Sequence, residues 1–257
     1  MSKLIEFKKD IFGLGLSLAK SNFKLRNEGS YLGIFWYLLN PLILFLIILF
    51  IKNQAFSHSE IPNYPIYLLI GLLLHNFFVH TVGASVGIIS MNSGFIKSIK
   101  IPIESLVISR VFQSIFSHIF EFVLIAASLV YLGIGFEGLF IYLVVFVFFA
   151  VFVLGVSFMF ATLGVFFRDL NNVWIVIGQF LFFITPIFYY PSIDSLLYKV
   201  NLFNPIYYFV TAGRSVFVWD VYPSISQLIC IFVGSISTLI IGLIIFNSKK
   251  IKFAELV

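Results

Sequence analysis

Residues 139–165 read LFIYLVVFVFFAVFVLGVSFMFATLGV, a run without a charged side chain. A helix needs about 20 consecutive apolar residues to cross the hydrocarbon core of a bilayer, and this run exceeds that. Working outward, five more candidates appear at 32–51, 64–90, 108–131, 172–190 and 224–246. Hydrophobic residues make up 61% of the 257-residue chain and charged residues 11%, whereas soluble domains are about 25% charged. No domain-sized soluble segment is left between the runs. The sequence therefore predicts an all-α integral membrane protein forming one transmembrane domain over 1–257, with six transmembrane helices. Aromatics reach 19%, mostly from 34 Phe, more than interfacial belts require.

The first 30 residues differ in kind. Leu4, Phe7, Ile11, Leu14 and Leu18 recur at steps of three and four, which places them on one helical face. Lys3, Lys8, Lys9, Lys20, Lys24 and Arg26 supply six of the 16 basic residues. This pattern predicts an amphipathic helix at a membrane surface. Glu6 and Asp10 interrupt it, and no small-residue cleavage site follows, so no cleavable signal peptide is expected.

Orientation follows from Lys and Arg. With the N-terminus cytoplasmic, thirteen basic residues fall inside, and only Lys52, Lys199 and Arg214 fall outside. Both termini are then cytoplasmic. The formal charge of +5 is accounted for by this bias, and nucleic-acid binding is not expected. The single Cys230 excludes a disulfide framework and a multi-cysteine metal site; its apolar run predicts a small buried hydrophobe.

Segment 191–223 reads as two half-helices too short to span. Ser192 can cap the first, through Tyr198. Asn204-Pro205 is an N-cap followed by proline at the first helical position of the second, which runs to about Phe217. Two arrangements are open: re-entrant helices at the outer face, tolerated where protein covers them, or an ordinary external loop with surface helices.

Motifs for chemistry are few. No G-x-x-x-x-G-K-[ST] is present, so the chain has no P-loop to cradle nucleotide phosphates. G-x-S-x-G and H-E-x-x-H are absent too, and neither catalytic residues nor a metal site is expected. His118 and Glu121 lie three apart on one helical face. A carboxylate inside a span faces a partner or a water-filled cavity. Glu121 is thus either a polar residue lining a conduit, with His118 beside it, or a structural group at an interface. His75, Asn76 and His80 share a span, without an assigned role. At Phe166-Phe167-Arg168-Asp169-Leu170, Arg168 suits the end of one helix and Asp169 the start of the next. In loop 93–104, Ile96 and Ile99 form a short apolar stripe beside Lys97 and Lys100, and Pro102 ends it.

Taken in order, these features resemble a known family. Arg26 and Tyr31-Leu32-Gly33 lead into Trp36 and Asn40-Pro41. Phe95-Ile96-Lys97 and Ile101-Pro102 follow the second span, and Phe166-Phe167-Arg168-Asp169-Leu170 follows the fourth. Thr185-Pro186-Ile187-Phe188-Tyr189 and Asn204-Pro205 come next. The order is similar to that of the membrane subunit of type-2 ABC exporters, in the branch that exports O-antigen, capsule and teichoic-acid polysaccharides.

The resemblance implies a homodimer in the bacterial inner membrane, paired with two P-loop ATPase subunits. ATP and Mg would sit on those partners, with no cofactor on this chain. The implied substrate is a polyprenyl-pyrophosphate-linked polysaccharide moving outward between the protomers. Residue by residue, loop 93–104 would couple to the ATPase through Phe95, Ile96, Lys97, Ile99, Lys100 and Glu104, with Arg168 and Asp169 at a second contact. Lys20, Lys24 and Arg26 would attract the pyrophosphate of the lipid carrier. Glu121, His118, Tyr189, Tyr190, Tyr207 and Tyr208 would line the conduit or its outer gate, the gate helices being 192–200 and 205–217. Two other readings stand beside this: an exporter of a small hydrophobic drug or lipid, and a membrane-embedded glycan transferase using Asp169 or Glu104.

Overall fold

A computed structural model describes residues 10–28, 33, 35–55, 61–98 and 102–256, the side chains of Asn27, Tyr37, Ala55, Phe95, Ser98 and Ala254 excepted. Lys3, Leu4, Phe7, Lys8, Lys9, Tyr31, Leu32, Ile99, Lys100 and Ile101 lie outside the described residues. The helices are α1 (Ile11–Asn27), α2 (Phe35–Ala55), α3 (Tyr64–Val86), α4 (Ile88–Met91), α5 (Ser93–Ser98), α6 (Glu104–Leu132), α7 (Gly138–Phe166), α8 (Leu170–Ile184), α9 (Leu196–Asn201), α10 (Pro205–Trp219) and α11 (Ile225–Leu256).

Four of them are long and apolar enough to cross a membrane: Tyr64–Val86, Glu104–Leu132, Gly138–Phe166 and Ile225–Phe253. Leu38–Gln54 and Leu170–Ile184 are apolar but shorter. The third predicted span, 108–131, starts earlier than expected, since Pro102 and Ile103 already accept the first backbone bonds from Ser105 and Leu106. The fifth, 172–190, stops at Ile184, because Pro186 disfavours a helical Thr185, which is extended (ψ 132). The second, 64–90, ends at Val86, and Gly87 turns the chain into α4.

Helix α3 is the centre of the bundle. Its most apolar window is 78% buried, against 17% for α11. The main core joins α3, α7 and α10 through Tyr67, Leu68, Phe78, Phe149, Phe152 and Phe209. Here the phenylalanines form a ladder: Phe149 lies 4.9 Å from Phe209 and 5.9 Å from Phe77, ring centre to ring centre. The rings of both pairs are tilted to one another, and aromatic contacts at these separations add to simple area burial. A second core lies at the other end of the bundle, built from Ile88, Ile89, Ile103, Phe158, Phe246 and Phe253.

Glycines allow close helix contacts. A Cβ on Gly242 would stand 2.3 Å from the carbonyl oxygen of Gly155. Helices α7 and α11 therefore meet backbone to backbone, as small residues allow in membranes.

Helix α1 begins with Asp10, whose Oδ1 accepts the Gly13 amide at 2.7 Å. Of the predicted stripe, Ile11 and Leu18 pack against the second core, while Leu14 is half-buried. Gly15 and Ala19 are the buried positions, with Gly15 against Ile108 and Phe23 against Phe116 and Phe120. Small residues bring α1 lengthwise onto α6, so the bundle takes up part of the face assigned to lipid.

The segment after α8 folds as two short helices. The first is capped by Ser195, not Ser192: Ser195 Oγ accepts the Tyr198 amide at 3.2 Å, and a turn from Ser192 precedes it. The second is capped as expected, Asn204 Oδ1 accepting the Ile206 amide at 3.1 Å. Helix α10 runs two residues past Phe217 and is mostly buried. Cys230 is exposed on α11, which corrects the buried expectation; a helix facing lipid is as apolar as one facing protein.

Candidate functional site: a polar cavity between α2, α3, α6 and α8

Inside the apolar bundle lies a cavity of about 960 Å³. Four helices each turn one polar stripe toward it. From α2 come Trp36 and Asn40, and from α3 His75, Asn76 and His80. From α6 come Ser114, Ser117 and Glu121, and from α8 Asn171, Trp174, Gln179 and Phe182. Arg26, at the end of α1, completes the lining. On α2 and α6 the steps are three and four, which stacks each set on one helical face; on α3, Asn76 and His80 are four apart with His75 one residue off, and on α8, Asn171 and Trp174 are three apart, as are Gln179 and Phe182.

Glu121 is held from behind. Its Oε2 lies 2.7 Å from His118 Nδ1, and His118 Nε2 lies 2.8 Å from the Tyr142 hydroxyl. The chain is complete with a neutral imidazole: Tyr142 donates to His118, and His118 donates to the carboxylate. The His118 ring also stacks on Phe146, with centroids 4.0 Å apart. Glu121 lines the cavity, whereas His118 and Tyr142 are buried. His75 is buried as well, its ring edge-on to Phe182 and its Nδ1 without a hydrogen-bond partner.

The predicted site residues are spread over several places. Glu121 and Arg26 line the cavity. Lys20 is exposed, and Lys24 pairs with Glu28 at 3.7 Å on the exposed face of α1. Tyr189, Tyr190, Tyr207 and Tyr208 gather instead around the turn after α8. There Tyr189 donates to the carbonyls of Phe183 and Ile184, and Tyr208 donates to that of Leu202. Tyr190 packs on Trp219, and Tyr207 on Tyr198 and Tyr208.

This turn is tied by a network that spacing does not announce. Arg214 is buried, donates from Nη1 to the Pro186 carbonyl at 2.8 Å, and lies 3.5 Å over the Tyr67 ring. Asn204 donates to Thr185 Oγ1 at 2.9 Å, and Asn201 to the Ile184 carbonyl at 2.8 Å.

At the second core, Ile96 packs against the cluster and Lys97 is exposed. Ile99 and Lys100 lie outside the described residues, as does the side chain of Phe95. Glu104 pairs with Lys250 across the fold. Arg168 and Asp169 are exposed between α7 and α8, and Asp169 occupies the N-cap position of α8 without a side-chain bond.

Residues 15–218 match the ABC-2 type transporter family. An O-antigen export system permease protein, RfbA, of Klebsiella pneumoniae is 30% identical to this chain, over 96% of it and 95% of the relative. The protein of the same name from Myxococcus xanthus is 27% identical over 95% of both chains. A second from Klebsiella pneumoniae is 29% identical over 96% and 95%. Family match and near full-length relatives agree with the all-helical bundle: this chain belongs to the ABC-2 type transporter family, as a membrane permease subunit and not an enzyme.

Proposed function

We propose that this permease forms the conduit of an exporter that moves a lipid-linked, O-antigen-like polysaccharide out of the cytoplasm. The observation that carries this reading is the cavity to which four helices of an apolar bundle each turn polar side chains. Sugars present hydroxyls and an apolar ring face. Asn76, Glu121 and Gln179 offer hydrogen bonds, and Trp36, Trp174 and Phe182 offer aromatic surface. The similarity to O-antigen export permeases supports the substrate class.

In this reading two copies assemble with two ATPase subunits in the bacterial inner membrane. Helices α2 and α8 complete a set of six spans, both termini are cytoplasmic, and α9 and α10 enter the membrane from outside. Arg26 stands at the inner end of the cavity, where the carrier pyrophosphate would enter, with Lys20 and Lys24 nearby on α1. ATP-driven closure of the partner domains pushes on loop 93–104 and on the Arg168–Asp169 turn, and the outer turn at Thr185–Tyr190 parts. This chain positions, admits and releases; it makes and breaks no bonds. A transferase is disfavoured by the match to transporter permeases, and Glu104 is paired with Lys250.

The experiment is a deletion of the gene in its host, complemented by the wild type or by Asn76→Leu/Gln179→Leu. Surface glycan should return with the wild type and fall with the double variant, at equal membrane levels of permease. A P-loop ATPase should co-purify. Full glycan from the double variant would remove the cavity from the path, and an unaltered deletion strain would remove the substrate class.

A further inference from the structure

The basic end of α11 has more structure than orientation demands. Lysines that only set topology can sit free in solvent. Lys250 instead reaches the carboxylate of Glu104, 146 residues away in sequence, at the first turn of α6. The Glu104 side chain is 12% exposed, and its second oxygen is buried without a hydrogen-bond partner. Lys250 is thus the cation this carboxylate depends on among the described residues. Three residues further on, Phe253 is fully buried, as is Phe246 two turns earlier. They form an edge-on stack, with Phe158–Phe246 at 5.0 Å and Phe246–Phe253 at 5.2 Å. Ile96, from the short helix α5, packs on the same cluster.

This end of α11 is also the end of a rigid element. Helix α11 meets α7 backbone to backbone at Gly155 and Gly242. A displacement applied to the start of α6 is therefore carried through Lys250 and Phe253 into α11, and from there into α7. Packed elements of this kind move as units.

We propose that the last turns of α11, through Lys250 and Phe253, are a positioning clamp that transmits the ATPase stroke from loop 93–104 to the α7–α11 pair. The inference rests on the exporter reading above. It extends the route from loop 93–104 into the bundle, beside the Arg168–Asp169 turn.

A charge swap tests it in the permease–ATPase complex. Lys250→Glu alone should leave ATPase co-purification intact, and Glu104→Lys, which lies in the coupling loop, is read per complex recovered. Each should lower surface glycan per ATP hydrolysed about tenfold, a typical size for a coupling change. The double swap should restore most of the loss. Lys250→Gln, which keeps the stem and removes the charge, should fall between wild type and Lys250→Glu. Wild-type permease that binds no ATPase would overturn the exporter reading, and the clamp with it. An intact wild-type complex in which the single variants couple normally would overturn the clamp alone, as would a double swap no better than the worse single variant.

Discussion

Trp174 Nε1 donates to the main-chain carbonyl of Val79 at 2.8 Å. The bond joins α8 to α3 at the wall of the cavity. The indole needs room to reach it, and Gly83 supplies that room: a Cβ there would stand 2.9 Å from Trp174 Cδ1. On the next turns the roles reverse, and Val79 fits over Gly178. Only Trp174 and Gly178 are buried along α8, so this pair of contacts holds the helix.

Trp174→Phe should keep the aromatic contacts with Phe78 and Phe160 and lose the bond. The expected cost is about 1 kcal/mol, the net value of one hydrogen bond. Thermal unfolding of the purified permease would show it as a lowered midpoint. Gly83→Leu should cost more, because the indole must leave its slot. Equal midpoints for all three proteins would mean that α8 is held by something else.

Tyr142, His118 and Glu121 should behave as one unit. Tyr142→Phe leaves a buried His118 nitrogen without its donor, at about 1–3 kcal/mol. His118→Leu frees Glu121 from its support. The double variant should cost less than the sum of the singles by about 1 kcal/mol, since groups in one network are not additive. A double-mutant cycle on thermal stability measures this. On export, Glu121→Gln should reduce surface glycan while leaving membrane levels unchanged. Strict additivity would show that the three groups act independently.

The sequence makes some of this site visible and hides the rest for a physical reason. His118 and Glu121 are legible because three residues along a helix bring them face to face. Asn204 and Pro205 are legible because a helix start demands a cap. Tyr142 is not, since its contact with His118 crosses between helices. The cavity is hidden in the same way: Asn40, Asn76, Ser117 and Gln179 lie on four different helices, and only packing turns them toward one space. Cys230 shows the converse limit, because an apolar run has one composition whether protein or lipid covers it. The start of α9 shows a third. Ser192 and Ser195 are equally good caps by type, and the turn that Ser192 closes with Ser195 decides between them.

Arg214 should be irreplaceable by lysine. Its planar guanidinium lies over Tyr67 and bonds the Pro186 carbonyl at once, a pairing that a compact ammonium cannot reproduce. Both Arg214→Lys and Arg214→Met should loosen the turn that Tyr189 and Asn201 tie down. Chymotrypsin cleavage after Phe188 or Tyr189, in purified protein, reports that opening. Cleavage should accelerate by about tenfold or more where local opening governs the rate. A lysine variant as resistant as wild type would mean that charge alone holds the turn.

Two glycines on α11 should separate by their surroundings. A Cβ at Gly242 would meet the Gly155 carbonyl oxygen at 2.3 Å, whereas one at Gly234 would meet nothing within 4 Å. Backbone cannot yield as a flexible side chain can, so Gly242→Val must push α11 away from α7. Loss of the packing on both sides should then cost several kcal/mol, within the range of overpacked core sites at about 1–3 kcal/mol or more. Gly234→Val adds a side chain in open space and should cost little. Comparing the amount of folded, monodisperse permease extracted from membranes expressing each variant checks the pair. Equal yields would contradict the close approach of the two helices, and with it the rigid unit through which α11 acts.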